Sequence, residues 1–273
     1  MYPAFLASWT KLRRPALLWG TYGALAVLSA LITTLIFVNA GDPAGASRGV
    51  GPRGGGPPGQ AATSLVSLAE SSGLLIGLSS SVMLIGVVAL CVAASQMAGE
   101  YTQGTLRTLL IRRPQRLQLL GGTWAALVTF MTGAVAVAAV ASGATAVVAA
   151  QARGVDTTAW FGGDGLTSSL QTFGESVLAI AGYTTLGAAL GSILRAPVVA
   201  VAVAIGWLLP IEGILGSVLD GSQRWLPGSL LTAIASGGTA TTALGAALVT
   251  TAAYLAVAMG AAGVLFQRRD VTA

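Results

Sequence analysis

Five charged side chains, Glu100, Arg107, Arg112, Arg113 and Arg116, sit within residues 98–116, while the runs on either side, 71–97 and 117–152, carry no charge at all. Leu106, Leu109 and Leu110 fall at i, i+3, i+4 and Gln103, Arg107 and Thr108 fall elsewhere, so a turn or two of helix here has an apolar edge and a basic edge. Pro114 ends it. Such an edge suits polar contact with a partner protein, or simply with anionic lipid, rather than bond breaking. Elsewhere the residues able to do chemistry are few. Glu212 lies two residues past Pro210 in an apolar run, where an ionisable group either marks a solute path or reaches the outer headgroups. Glu175 stands where another apolar run begins, and there a carboxylate complements a helix N-terminal dipole. The chain has no histidine, one cysteine (Cys91) and no paired acids, so it offers no donor set for a metal, for hydrolysis or for an intrachain disulfide. Its one lysine, Lys11, leaves no phosphate-cradling G-x-x-x-x-G-K-[ST] loop, and the chain by itself cannot be a P-loop ATPase.

The elements that must carry these residues are apolar. Of 273 residues 54% are hydrophobic and 8% charged, with a mean hydropathy of +0.79, too little polar surface for a water-soluble globule. An all-α integral membrane protein is expected. The net charge of +5 is no nucleic-acid footprint, because the basic residues bracket apolar segments instead of covering one soluble face.

In chain order, residues 2–14 place Tyr2, Phe5, Trp9 and Leu12 on one side of a helical wheel, away from Lys11 and Arg14, which suits a helix lying in the headgroup plane. Residues 16–39 are a first transmembrane helix, with an apolar run about twice too long for a signal peptide. Residues 41–72 form a Gly/Pro-rich external loop. Further spans are expected at 73–95, 119–150, 173–194, 197–218 and 241–266. Between them lie the basic segment 96–118, an external loop at 151–172, the tight turn Arg195-Ala-Pro197 and an external segment at 219–240. Pro210, Gly213 and Gly216 are positioned to break the fifth span, and Gly73-x-x-x-Gly77 and Gly187-x-x-x-Gly191 invite close helix packing. Six crossings put both termini on one side. That side collects Lys11, Arg13, Arg14, Arg107, Arg112, Arg113, Arg116, Arg195, Arg268 and Arg269, against Arg48, Arg53, Arg153 and Arg224 opposite, so it is assigned to the cytoplasm.

The stretch Glu100-Tyr-Thr-Gln-Gly-Thr-Leu-Arg-Thr-Leu-Leu-Ile-Arg-Arg-Pro-Gln-Arg116 resembles the E-(Y/F)-x-x-G-T-(L/I)-R-x-L-L-x-x-P-x-(R/S) signature of ABC-2-type ABC transporter permeases. Phe266-Gln-Arg-Arg-Asp270 is similar to the F-x-R-R-D ending common in that family, and the layout of the whole chain matches it, the Gly/Pro-rich loop excepted. The resemblance implies the membrane subunit of a bacterial exporter in the plasma membrane, paired with itself or a sister permease chain and docked on two ATPase subunits that hold the ATP and magnesium. It implies a cytoplasmic coupling helix at about residues 98–113, with Glu100, Tyr101, Gly104, Thr105, Arg107, Leu110, Arg113 and Pro114 as coupling residues. Glu100 and Arg107 would contact either the ATPase or the interfacial helix with its Phe5, Trp9 and Leu12, and Gly104 would allow close backbone approach. Short re-entrant helices would lie near the broken fifth span. Tyr183, Thr184 and Glu212 are the candidate pathway residues, suited to a small amphipathic or lipid-like cargo crossing at a dimer interface. The rival reading is an ion- or proton-coupled secondary carrier or a channel without an ATPase; such proteins need ionisable residues at mid-span, where only Glu212 comes close. An intramembrane enzyme would lack histidine and paired acids to work with.

Overall fold

The computed structural model describes residues 2–40, 68–102, 116–219, 221–239 and 241–268. These are helical, with no strand among them. Helix α1 (Tyr2–Leu12) leads into α2 (Pro15–Asn39), and after a short 3₁₀ turn at Gly73–Leu75 come α3 (Ile76–Thr102) and α4 (Arg116–Arg153). Helices α5 (Gly163–Leu194) and α6 (Pro197–Gly206) follow, then a π-helical turn at Trp207–Ile211, α7 (Glu212–Val218), α8 (Pro227–Ala235) and α9 (Leu244–Arg268). Six segments are long and apolar enough to cross a bilayer: Pro15–Asn39, Gly73–Tyr101, Gln118–Arg153, Gly163–Leu194, Pro197–Val218 and Leu244–Phe266. This is the build of a multi-pass membrane protein.

The boundaries differ from the hydropathy reading at several places, each for a physical reason. The second span continues to Thr102, so Glu100 and Tyr101 occupy its last turn instead of a separate helix. Helix α5 begins at Gly163, ten residues before the expected span, because the polar run Thr167-Ser-Ser-Leu-Gln-Thr172 is too hydrophilic to count as a span yet compatible with a helix. Asp164 therefore holds the first-turn position that was expected of Glu175, which instead lies in the helix interior. Pro210 does interrupt the fifth span, widening it into the π turn, but Gly213 and Gly216 sit inside α7 without breaking it. The expected external segment 219–240 contains α8, whose Leu230, Leu231, Ala233, Ile234 and Ala235 are buried. Pro at its first turn starts α8, and Gly237 and Gly238, at φ 70° and 108°, reverse the chain after it.

By contacts the chain divides into two compact units. One comprises Tyr22–Ser81 and Ala136–Gly174. Its core joins Phe37, Ala40, Leu68, Ala146, Ala150 and Trp160; the Trp160 indole donates to the Leu68 carbonyl at 3.0 Å and meets the Phe37 ring edge-on. Between α2 and α4 in this unit, the Thr33 and Ser142 hydroxyls pair at 3.0 Å and Ser29 donates to the Ala138 carbonyl at 3.2 Å. Arg153 donates to the Val38 and Ala40 carbonyls at the C-terminal end of α2, where a cation offsets the helix dipole. The other unit comprises Met1–Thr21, Val82–Val135 and Glu175–Ala273. There α5 presses on α3 through Gly187 and Gly191, where an added Cβ would run into the Leu90 and Ala94 carbonyl oxygens. Trp124 of α4 donates to Thr185 of α5 at 2.9 Å.

Candidate functional site

Two side-chain clusters of this second unit gather the candidate residues. At one, α1, α3, α5 and α9 bring residues together where α3 gives way to the basic segment. Lys11 Nζ lies 3.5 Å from Glu100 Oε1, with the Lys11 side chain 36% exposed and that of Glu100 14%. Beside this pair the Arg195 guanidinium lies over the Tyr101 ring at 4.9 Å, and Tyr101 meets Phe266 edge-on at 6.0 Å. Arg195 takes a left-handed conformation, φ 57°, directly after α5, a conformation that costs a non-glycine residue about 1 kcal/mol. Ser8 and Thr123 share a hydrogen bond at 3.1 Å, tying α1 to α4.

Of the aromatic side read on residues 2–14, Phe5, Trp9 and Leu12 are described in α1. Phe5 and Trp9 stack at 5.9 Å, and Leu12 is buried. Of the coupling residues read from the sequence, Glu100 and Tyr101 thus stand in one cluster with Lys11. Gly104, Thr105, Arg107, Leu110, Arg113 and Pro114 lie outside the described residues, as do Arg112, Arg269 and Asp270 and the Gly/Pro-rich stretch 41–67.

The second cluster is built on Glu212. Its Oε1 accepts from the Trp207 indole at 2.9 Å and from the Gly228 amide at 3.0 Å, and its Oε2 accepts from the Ser229 amide at 3.2 Å. Gly228 and Ser229 are the second and third residues of α8, so the carboxylate caps orphan amides at the positive end of that helix. Gly228 has to be glycine for this approach: a Cβ there would lie 2.6 Å from both Glu212 Oε2 and Leu208 Cδ2. Tyr183 donates to the Gly228 carbonyl at 3.1 Å and packs its ring on Gly86.

The Glu212 carboxylate is buried and satisfied by protein. Tyr183 and Thr184 are likewise buried, with Thr184 bonded to the Ile180 carbonyl of its own helix. Two participants had no sequence signal for these contacts: Arg195, read as part of a turn and as one of the basic residues of one face, and Trp207. The Trp207–Glu212 spacing of i, i+5 places two residues roughly 140° apart around a regular α-helix. Only the π turn makes them neighbours.

Chemically, the first cluster is an ion pair beside a cation–π and an aromatic contact, and the second a helix cap. Among the described residues no group of three histidines, cysteines or acids is placed to hold a metal. No curated protein matches the chain. A family model described as "Protein of unknown function (DUF2705)" matches residues 63–272, about three quarters of the length, and the chain belongs to that family.

Proposed function

We propose that this chain is the membrane subunit of an ATP-driven exporter of the ABC-2 type, lying in a bacterial plasma membrane with both termini and residues 103–115 in the cytoplasm. Two separate ATPase subunits bind and hydrolyse ATP with magnesium, and a second permease chain completes the pathway for a small amphipathic or lipid-like cargo. The observation that carries this reading is the junction of Lys11, Glu100, Tyr101, Arg195 and Phe266. The ABC-2-like signature continues directly from its Glu100 and Tyr101, so a displacement of that segment would reach α1, α5 and α9 through packed side chains. The basic bias of one face supports the orientation. Large exposed apolar side chains on α6, α7 and α9, among them Val198, Ile214, Val249 and Val257, leave room for both lipid and a second permease chain. The carrier alternative is the weaker one, since Glu212, its best coupling group, is held by three N–H donors.

The experiment is affinity purification of the chain with whatever nucleotide-binding protein accompanies it, followed by transport in vesicles. Glu100→Lys and Gly104→Trp are expected to abolish ATP-driven transport. Absence of any nucleotide-binding partner, or uphill transport that persists without ATP on an ion gradient, would overturn the proposal.

A further inference from the structure

Within the second unit, α3, α5, α6, the π turn and α9, with Glu212 and Pro227, line an apolar cavity of about 230 Å³ that is open on one side. Its floor is Leu90, Ala189, Ala204 and Leu208, each no more than 3% exposed. Its rim includes Val203 and Trp207, which remain 46% and 42% exposed. Glu212 also contributes to the wall, but its oxygens are engaged by Trp207, Gly228 and Ser229, so the surface offered to an occupant is hydrocarbon.

Water is a poor occupant, because a buried water needs about two to four polar partners. A cavity of about 150 Å³ lined by aliphatic side chains stays dry and accepts a benzene-sized guest, and this one is larger. Its rim residues belong to the span Pro197–Val218, a segment apolar enough to lie in the hydrocarbon of a bilayer. The space is also a built feature. Trp207 and Leu208 line it from the π turn, a form of bulge that recurs at functional sites, and the cap on α8 fixes that turn in place.

We propose that this cavity binds one acyl chain of a membrane phospholipid, entering from the hydrocarbon phase past Val203 and Trp207 and ending on Leu90 and Ala189, with the headgroup left outside. The site does not depend on coupling to an ATPase.

The test uses the full chain in nanodiscs of phosphatidylethanolamine and phosphatidylglycerol containing a phospholipid with a photoactivatable diazirine on its acyl chain. Labelled peptides are identified by mass spectrometry, with no ATPase or nucleotide present. The expected result is saturable labelling of residues 186–193 and 203–208 that excess unlabelled phospholipid competes. In the cavity-filling variants Ala204→Phe and Ala189→Leu this labelling is expected to fall about tenfold or more. Labelling around Val198, which is 81% exposed, serves as the bulk-lipid control and stays unchanged. Labelling of the wild-type cavity that rises without saturation, or that matches the Val198 control, overturns the proposal even if a variant fails to fold. Undiminished labelling in a folded variant overturns it as well.

Discussion

Replacing Glu212 tests whether its carboxylate organises the turn between the fifth span and α8. In the wild type it accepts three hydrogen bonds of 2.9, 3.0 and 3.2 Å, two of them from α8 amides. Each buried donor left unmade costs about 1–3 kcal/mol. Glu212→Ala strands all three donors while Ser229 and Trp207 keep partial exposure, so a loss of about 4 kcal/mol is expected. Glu212→Gln retains one carbonyl oxygen, enough for the Trp207 and Gly228 donors, and turns an amide NH2 toward the Ser229 amide, for a loss of about 1–2 kcal/mol. Glu212→Asp withdraws the carboxylate by one carbon–carbon bond, about 1.5 Å, which breaks all three contacts and places it close to the alanine variant. The order wild type, Gln, then Asp and Ala together is therefore the expectation. Thermal unfolding in detergent would read it, the alanine variant losing roughly 10 °C. Amide hydrogen exchange at Gly228 and Ser229 would accelerate in the same order. If Glu212→Ala melts with the wild type and leaves those two amides equally protected, the capping argument is wrong, and the carboxylate must serve something other than the fold.

Three further perturbations separate structure from function. Lys11 is more than a third exposed, so its 3.5 Å pair with Glu100 contributes no more than about 1 kcal/mol; Glu100→Gln should leave the melting temperature nearly unchanged, and a large drop would contradict this. If the pair matters to coupling, Glu100→Lys should lose ATP-driven transport and the swap Lys11→Glu with Glu100→Lys should recover part of it, a comparison made as a double-mutant cycle. Gly187→Val and Gly191→Val drive side chains into the carbonyls of Leu90 and Ala94 and should each cost about 1–3 kcal/mol in unfolding experiments, whereas Gly213→Ala, with open space around it, should be neutral or slightly stabilising. Asp156, outside the spans, accepts the Thr158 amide at 2.9 Å, which holds its carboxyl below the usual carboxylate range. Folded Asp156 binds its proton less readily than unfolded, so its contribution is complete above an unfolded value of about 3.9 and fades as the pH falls through the lower folded value. Asp156→Asn should remove that acid dependence from melting curves.

Hydropathy made the six spans legible because twenty apolar residues in a row have few other destinations, and the stacked Phe5 and Trp9 were visible as i, i+4 neighbours. What hydropathy misses is any structure whose stabilisation is not carried by its own apolar length. Helix α8 is nine residues long, too short to register as a span, and gains its place by burying Leu230, Leu231 and Ile234 and by accepting a cap from sixteen residues upstream. The first turns of α5 are polar and helical at once, a combination that a hydropathy window reads as loop.

The two acids at the apolar runs show the same limit. Glu175 was assigned to a helix start because apolarity begins there, while the helix begins twelve residues earlier at Gly163. Glu212 was read as a group needing either a solute path or the headgroups, since an apolar run names no donors for it. Its actual partners are backbone amides, which every residue but proline carries and no residue type advertises. An ionisable residue within a membrane span is therefore weak evidence for a transport pathway until the nearest helix N-terminus has been located. Here that helix start accounts for two of the three hydrogen bonds to Glu212, so a direct role for Glu212 in moving cargo would require α8 to shift and release the carboxylate.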